Sequence, residues 1–221
     1  MTELSVKALY NLEETKAKPL LLSVTYPWEA LSKIGDFILE LGKTLSSDEY
    51  NQIQENVWVA KSAVVAPTAY IQGPAIIGQK TEIRHCAFIR GNALIGDGVV
   101  VGNSTELKNV ILFNQVQVPH YNYVGDSILG YKAHMGAGSI TSNVKSDKGL
   151  VVIKTGDTRM ETNRKKVGAM LGDGVEVGCG SILNPGSIVG KNANIYPLSS
   201  VRGTVPENSI YKKQGEVVLK A

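Results

Sequence analysis

A strict six-residue period governs most of this chain. Aliphatic residues stand at Val59, Val65, Ile71, Ile77, Ile83, Ile89, Ile95, Val101 and Leu107, and again at Leu171, Val177, Leu183, Val189, Ile195 and Val201. Two places before several of these anchors a small residue recurs: Ala63, Ala69, Ala75, Ala87 and Ala93. Gly73-Pro74, Gly91-Asn92 and Asp97-Gly98 punctuate the steps. Neither the helical nor the strand period accounts for a strict six with turn residues between. A short strand plus a tight turn, repeated, does. Each strand buries its aliphatic residue in a narrow interior, and Gly and Asn tolerate the positive φ of the corners. Successive coils then pair backbone groups at a spacing of roughly 4.8 Å. The pattern predicts an all-β fold, a parallel β-helix of hexapeptide repeats over residues 57–206.

Composition agrees with thin layers. The chain has 221 residues, 43% hydrophobic but only 6% aromatic, with 23 glycines. Its 23 basic and 20 acidic residues give a net charge of +3, too balanced for a nucleic-acid groove. No apolar run approaches the ~18 residues of a membrane span, and the start lacks the zones of a secretory signal. Cys86 and Cys179 form no CxxC pair, and a reducing cytoplasm is the plain reading.

Residues 1–56 read as a helical cap and linker. Trp28, Leu31, Ile34, Ile38 and Leu41 recur on one helix face, which predicts a packing helix near 27–42, capped by Thr25 and ended by Gly42. This segment is expected to cover an open end of the solenoid. Residues 207–221 have lost the period and read as a tail.

The repeat breaks twice. Through Leu107, Leu112, Val118, Val124 and Leu129 two steps shrink to five, and His120, Tyr121, Asn122 and Tyr123 fall there. Over 141–167 the period stops, and Lys145, Lys148, Lys154, Arg159, Arg164, Lys165 and Lys166 mark an extruded basic loop. Long loops in compact repeats usually carry function. A turn histidine and a solvated basic excursion are the plainer readings of the same residues.

The motifs NSTELKN (103–109), PHYNYVGDS (119–127) and MGAGSITSN (135–143) resemble the acetyltransferase half of the bifunctional N-acetylglucosamine-1-phosphate uridylyltransferase/glucosamine-1-phosphate acetyltransferase. Related archaeal sugar-1-phosphate nucleotidylyltransferases with acetyltransferase activity are similar. Fainter likeness spans 57–210, including RKKVGAMLGDGVEVG (164–178) and PENS (206–209), and YPWEAL (26–31) resembles the linker ahead of the β-helix in such two-domain enzymes. The resemblance implies a left-handed β-helix, a homotrimer with sites between subunits, and acetyl transfer from acetyl-CoA to the amine of a hexosamine 1-phosphate. It assigns Arg90, Lys108 and Tyr123 to the sugar and its phosphate, and puts Glu106 near the amine. It makes His120 the general base, the Ala137 N–H the oxyanion donor, and Asn143 a residue of the sugar and reaction centre. Imidazole chemistry near neutral pH suits that base, and cations suit the phosphate.

This chain departs from that family at several points. His134, Cys179 and Pro197 stand where it has asparagine, serine and alanine, the first at the sugar and the others by the cofactor. Lys148 is an approximate match to a phosphate-binding loop residue. The Gly-rich phosphate loop of the nucleotidyltransferase domain has no counterpart in 1–56, so no uridylyltransferase activity is expected.

Three other readings compete. One is a non-catalytic or regulatory β-helix that binds a nucleotide sugar, related to UDP-N-acetylglucosamine pyrophosphorylase. Another is an O-acetyltransferase. The third is a γ-carbonic-anhydrase-like metal enzyme, which the spacing of His85, His120 and His134 disfavours. No metal, nucleic acid or membrane partner is expected.

Overall fold

A computed structural model describes residues 2–220. The chain forms a left-handed parallel β-helix with three strand faces, preceded by a helical segment. The first face stacks Val57–Ala60, Ala75–Ile77, Ala93–Ile95, the ends of Glu106–Leu112 and Tyr123–Leu129, then Ala169–Leu171, Ser187–Val189 and Thr204–Val205. The second runs from Val64–Val65 through Gln117–His120, His134–Met135 and Glu176–Val177 to Ser209–Lys213. The third joins Tyr70–Gln72, Phe88–Arg90, the beginnings of the two seven-residue strands, Ile140–Thr141, Ile182–Leu183 and Ser200–Val201.

The expected anchors point inward and are buried, apart from a half-exposed Val65. Polar groups in the lumen are satisfied locally: Thr81 Oγ1 donates to the Gly96 carbonyl at 2.8 Å, and Thr105 Oγ1 to that of Val118 at 2.9 Å.

Corners need left-handed backbone, and the chain supplies it at successive rungs with Cys86, Ser104, Tyr121, Gly138, Gly180 and Leu198. The shortened steps lie where expected. Val100, Gln117 and His134 pair at steps of 17 residues, whereas Val64, Glu82 and Val100 pair at 18. The missing residue comes from the corner between third and first faces. Asn109 and Asp126 each replace a two-residue turn such as Gly91-Asn92, and both adopt positive φ.

The faces differ in what covers them. On the second and third, outward side chains meet solvent. On the first, even the outward column Trp58, Ile76, Leu94, Ile111, Ile128, Met170 and Ile188 is at most 9% exposed. The N-terminal segment covers it. Instead of covering an open end, as expected, that segment lies along the flank of the solenoid, from its last coils to its first. The Leu9 carbonyl accepts from Asp173 N, that of Glu14 from Asn114 N, and that of Leu31 from Asn109 Nδ2. Tyr10 packs against Phe113 with ring centroids 5.0 Å apart and the planes tilted by 34°.

The helix expected over 27–42 is two pieces, a 3₁₀ turn at Pro27–Ser32 and an α-helix at Ile34–Thr44. The Glu29 carboxylate, not Thr25, caps the first by accepting from Thr25 N and Tyr26 N at 2.9 Å. Gly42 lies inside the second helix. A Cβ there would stand 2.5 Å from the Trp58 ring, so its role is close approach rather than termination.

Two further expectations change. The 141–167 excursion does leave the repeat, but it turns back as an antiparallel hairpin, Val152–Thr155 with Thr158–Glu161. Val151, Ile153 and Val167 are fully buried: the first two pack their side chains onto the solenoid at Gly186, whose N–H donates to the Val167 carbonyl at 3.2 Å. The stretch read as a tail also carries structure: Ser209–Lys213 stacks on Asn194–Ile195, and Glu216–Leu219 closes that sheet edge antiparallel. At the other end Tyr50–Gln54 closes the first face. No helix among the described residues is long and apolar enough to cross a membrane.

Candidate active site

The third face gathers a polar cluster at the two short coils. Glu106 sits in register between Phe88 and Tyr123, and Lys108 opposite Gly125. Arg90 lies over the Phe88 ring, 5.8 Å from its centroid, and its Nη1 donates to Glu106 Oε1 at 2.6 Å. That carboxylate raises the Arg90 pKa above its ordinary value. Lys108 Nζ reaches Asp126 Oδ2 at 3.2 Å. Asn143 Nδ2 donates to the same Oδ2 at 2.5 Å and to the Tyr123 phenol oxygen at 3.2 Å. The tyrosine ring fits because position 125 is glycine: a Cβ there would lie 2.5 Å from the Tyr123 oxygen. Burial raises the Tyr123 pKa, and the negative charges of Asp126 and Glu106 add to it, so the phenol stays neutral.

A second group forms a column along the corner between second and third faces. Gly138 N donates to the His120 carbonyl, Gly180 N to that of Ala137, and Leu198 N to that of Cys179. His120, Ala137, Cys179 and Pro197 therefore stand rung above rung. His120 is exposed and outside the lumen, and its backbone N–H donates to Asn122 Oδ1 at 3.1 Å. The buried Asn122 side chain donates in turn to the Gly136 and Ser139 carbonyls. Among the described residues the exposed Ala137 N–H has no hydrogen-bond partner.

The fold thus brings Arg90, Glu106, Lys108, Tyr123 and Asn143 together, and separately aligns His120, Ala137, Cys179 and Pro197. Within one chain no hydrogen bond or ion pair among the described residues joins the two groups. His134 belongs to neither. It pairs in register with Gln117, and its Nδ1 lies 2.7 Å from Glu176 Oε2. Lys148 is exposed at a turn of the excursion, with positive φ, and among the described residues no hydrogen bond or ion pair ties it to the cluster. Among the described residues no group of three or more His, Cys, Asp or Glu is placed to hold a metal ion.

Sequence reasoning missed Asp126 and Asn109. Both lie inside the quoted motifs, and the signal was available: polar residues that replace a two-residue corner must take left-handed backbone, which Asn and Asp tolerate.

Comparison with known proteins finds a family model described as GMPPB C-terminal domain, matched over residues 71–212. The Bifunctional protein GlmU of Methanococcus vannielii is 33% identical over 196 residues, covering 88% of this chain and 47% of that protein. The GlmU of Methanococcus maripaludis (strain C5) is 30% identical over 198 residues, covering 89% and 48%. The chain spans about half the length of these curated relatives. YaiX of Escherichia coli (strain K12), an uncharacterized acetyltransferase by name, is 31% identical over 182 residues, covering 74% of this chain and 78% of that one.

Proposed function

We infer the function from one premise: this chain belongs to the GMPPB C-terminal domain family. It is an acetyltransferase that moves acetyl from acetyl-CoA to the amine of a hexosamine 1-phosphate, glucosamine 1-phosphate or a close relative. It works as a homotrimer in which the His120 column of one chain faces the Arg90–Asn143 cluster of the next. The observation that carries this reading is the pair of aligned groups, one able to grip an anionic sugar and one able to accept a proton beside a free N–H. Exposed Tyr70 (64%), Phe88 (36%) and Ile182 (42%) on the third face, and Leu198 (86%) at the corner, support burial against another copy.

In the mechanism, Arg90 and Lys108 hold the phosphate by charge-assisted hydrogen bonds. Tyr123 and Asn143 orient the ring, and Glu106 lies near the amine. The amine nitrogen attacks the thioester carbonyl carbon while His120 takes its proton. The Ala137 N–H stabilises the oxyanion. The carbon–sulfur bond then breaks, and the proton leaves with the thiol.

Thiol release from acetyl-CoA, followed over a panel of amino-sugar phosphates, tests this reading. His120→Ala should lower kcat by about 10²–10⁴-fold. A trimeric wild-type protein that turns over none of the panel refutes it.

A further inference from the structure

Asp126 carries a carboxylate that the chemistry above leaves without a task, although it lies at the centre of the cluster. Its side chain is 5% exposed. Burying a charge is costly unless it is paired and hydrogen-bonded, and here the pairing is dense. Oδ2 accepts from Lys108 Nζ at 3.2 Å and Asn143 Nδ2 at 2.5 Å, and Oδ1 from Asn109 Nδ2 at 2.9 Å. These donors come from the coils on either side of its own. Its backbone carbonyl accepts from Gly168 N at 2.8 Å, where the 141–167 excursion rejoins the solenoid. Asn109 Nδ2 also donates to the Leu31 carbonyl at 3.2 Å, which links the carboxylate to the N-terminal segment.

We propose that Asp126 is a positioning residue, holding Lys108 and Asn143 in the geometry that a sugar phosphate requires. This rests on the acetyl-transfer reading. With a carboxylate and a phenol oxygen as its two neighbours, the Asn143 amide presents its nitrogen to the protein and leaves its oxygen for a sugar hydroxyl. One Lys108 ammonium hydrogen is committed to Asp126, which leaves two for a ligand. The carboxylate does not strengthen anion binding. Arg90 and Lys108 are already balanced by Glu106 and Asp126, so the cluster is formally neutral. Its contribution is orientation, and a displacement of about 1 Å costs on the order of 10²-fold in rate.

That distinction sets the test. Asp126→Asn keeps the shape, removes the charge and disturbs the fork. The kcat with the amino-sugar phosphate that the wild type uses should fall roughly 10–100-fold. Competitive inhibition by inorganic phosphate should hold or strengthen, because Lys108 loses its internal counter-charge. If that variant does not fold, Asn109→Gly serves, since glycine accepts the positive φ there without strain. It should show a smaller fall in kcat with phosphate inhibition kept. Unchanged kinetics, or turnover and phosphate inhibition lost in parallel, overturns the proposal. A wild type that turns over nothing removes the acetyl-transfer reading instead, which separates the two failures.

Discussion

The coils before Leu107 and the two short coils that follow share the same inward anchors, yet the polar cluster gathers at the short ones. In the regular coils a two-residue corner, Gly73-Pro74 or Gly91-Asn92, carries the chain from third face to first. In the short coils one residue does this, and the strand runs unbroken for seven residues, Glu106–Leu112 and Tyr123–Leu129. The side chains of Asn109 and Asp126 are then buried beneath the N-terminal segment. The comparison extends to ion pairs. The side chains of Arg84 and Glu82, on one strand edge of a regular coil, hydrogen-bond only to each other among the described residues, at 2.9–3.0 Å. Arg90 and Glu106 bridge coils and border the Tyr123–Asn143–Asp126 network. Removing one residue per coil converts a repeated scaffold into a place where chemistry can be held.

The sharpest way to break this contrast is to restore the missing corner residue. One glycine inserted between Lys108 and Asn109 should leave a folded β-helix by circular dichroism, since neighbouring coils run at 18. Turnover should fall by about 10²-fold or more, because Lys108, Asp126 and Asn143 lose their alignment. Full activity would show that the irregular step is incidental.

Next in size are truncations beneath the N-terminal segment. Ile76→Ala in a regular coil and Ile111→Ala in a short one should each cost about 2–5 kcal/mol, read by urea unfolding. Both are fully buried, so a near-zero loss at either would mean that the segment does not stay on that part of the flank.

An alkaline titration probes the same contact over the short coils. Burial raises the Tyr10 pKa well above its ordinary 10.0, and the Asp173 carboxylate adds to it. With the folded value above the unfolded one, its stabilising contribution is complete below pH 10.0 and is lost as pH rises through the folded pKa. Wild-type melting temperature should therefore drop above pH 10 more steeply than that of Tyr10→Phe. Parallel curves would place the tyrosine in water.

The smallest effect belongs to the regular-coil ion pair. Glu82→Ala should change stability by no more than ~0.5 kcal/mol and leave turnover intact. Glu106→Ala, measured beside it, should lower turnover. Equal behaviour would erase the difference between the two pairs.

Much of this was legible from residues alone. Anchors such as Ile77, Ile95 and Leu183 announced the solenoid, because an inward residue repeats with each strand and turn, three times per coil. The steps Leu107 to Leu112 and Val124 to Leu129 announced where it turns irregular. What escaped was the role of the outward column, Ile76, Leu94, Ile111, Ile128, Met170 and Ile188. A period of 17 or 18 was present there on either side of the excursion, but the anchor at every sixth position masked it. The hairpin within 141–167 was hidden for a similar reason, since Val151 and Ile153 show no period beyond one strand.

The sequence by itself determined the coil, its corners and its two short turns, because these arise from neighbours within a few residues. Only the tertiary structure decided that residues 2–44 lie along the flank, that Tyr10 reaches the Ile128 carbonyl across 118 positions, and that Asp126 draws Lys108 and Asn143 to one carboxylate. Contacts between distant segments depend on which surface is left uncovered once the coils have stacked, and a local period carries no record of that.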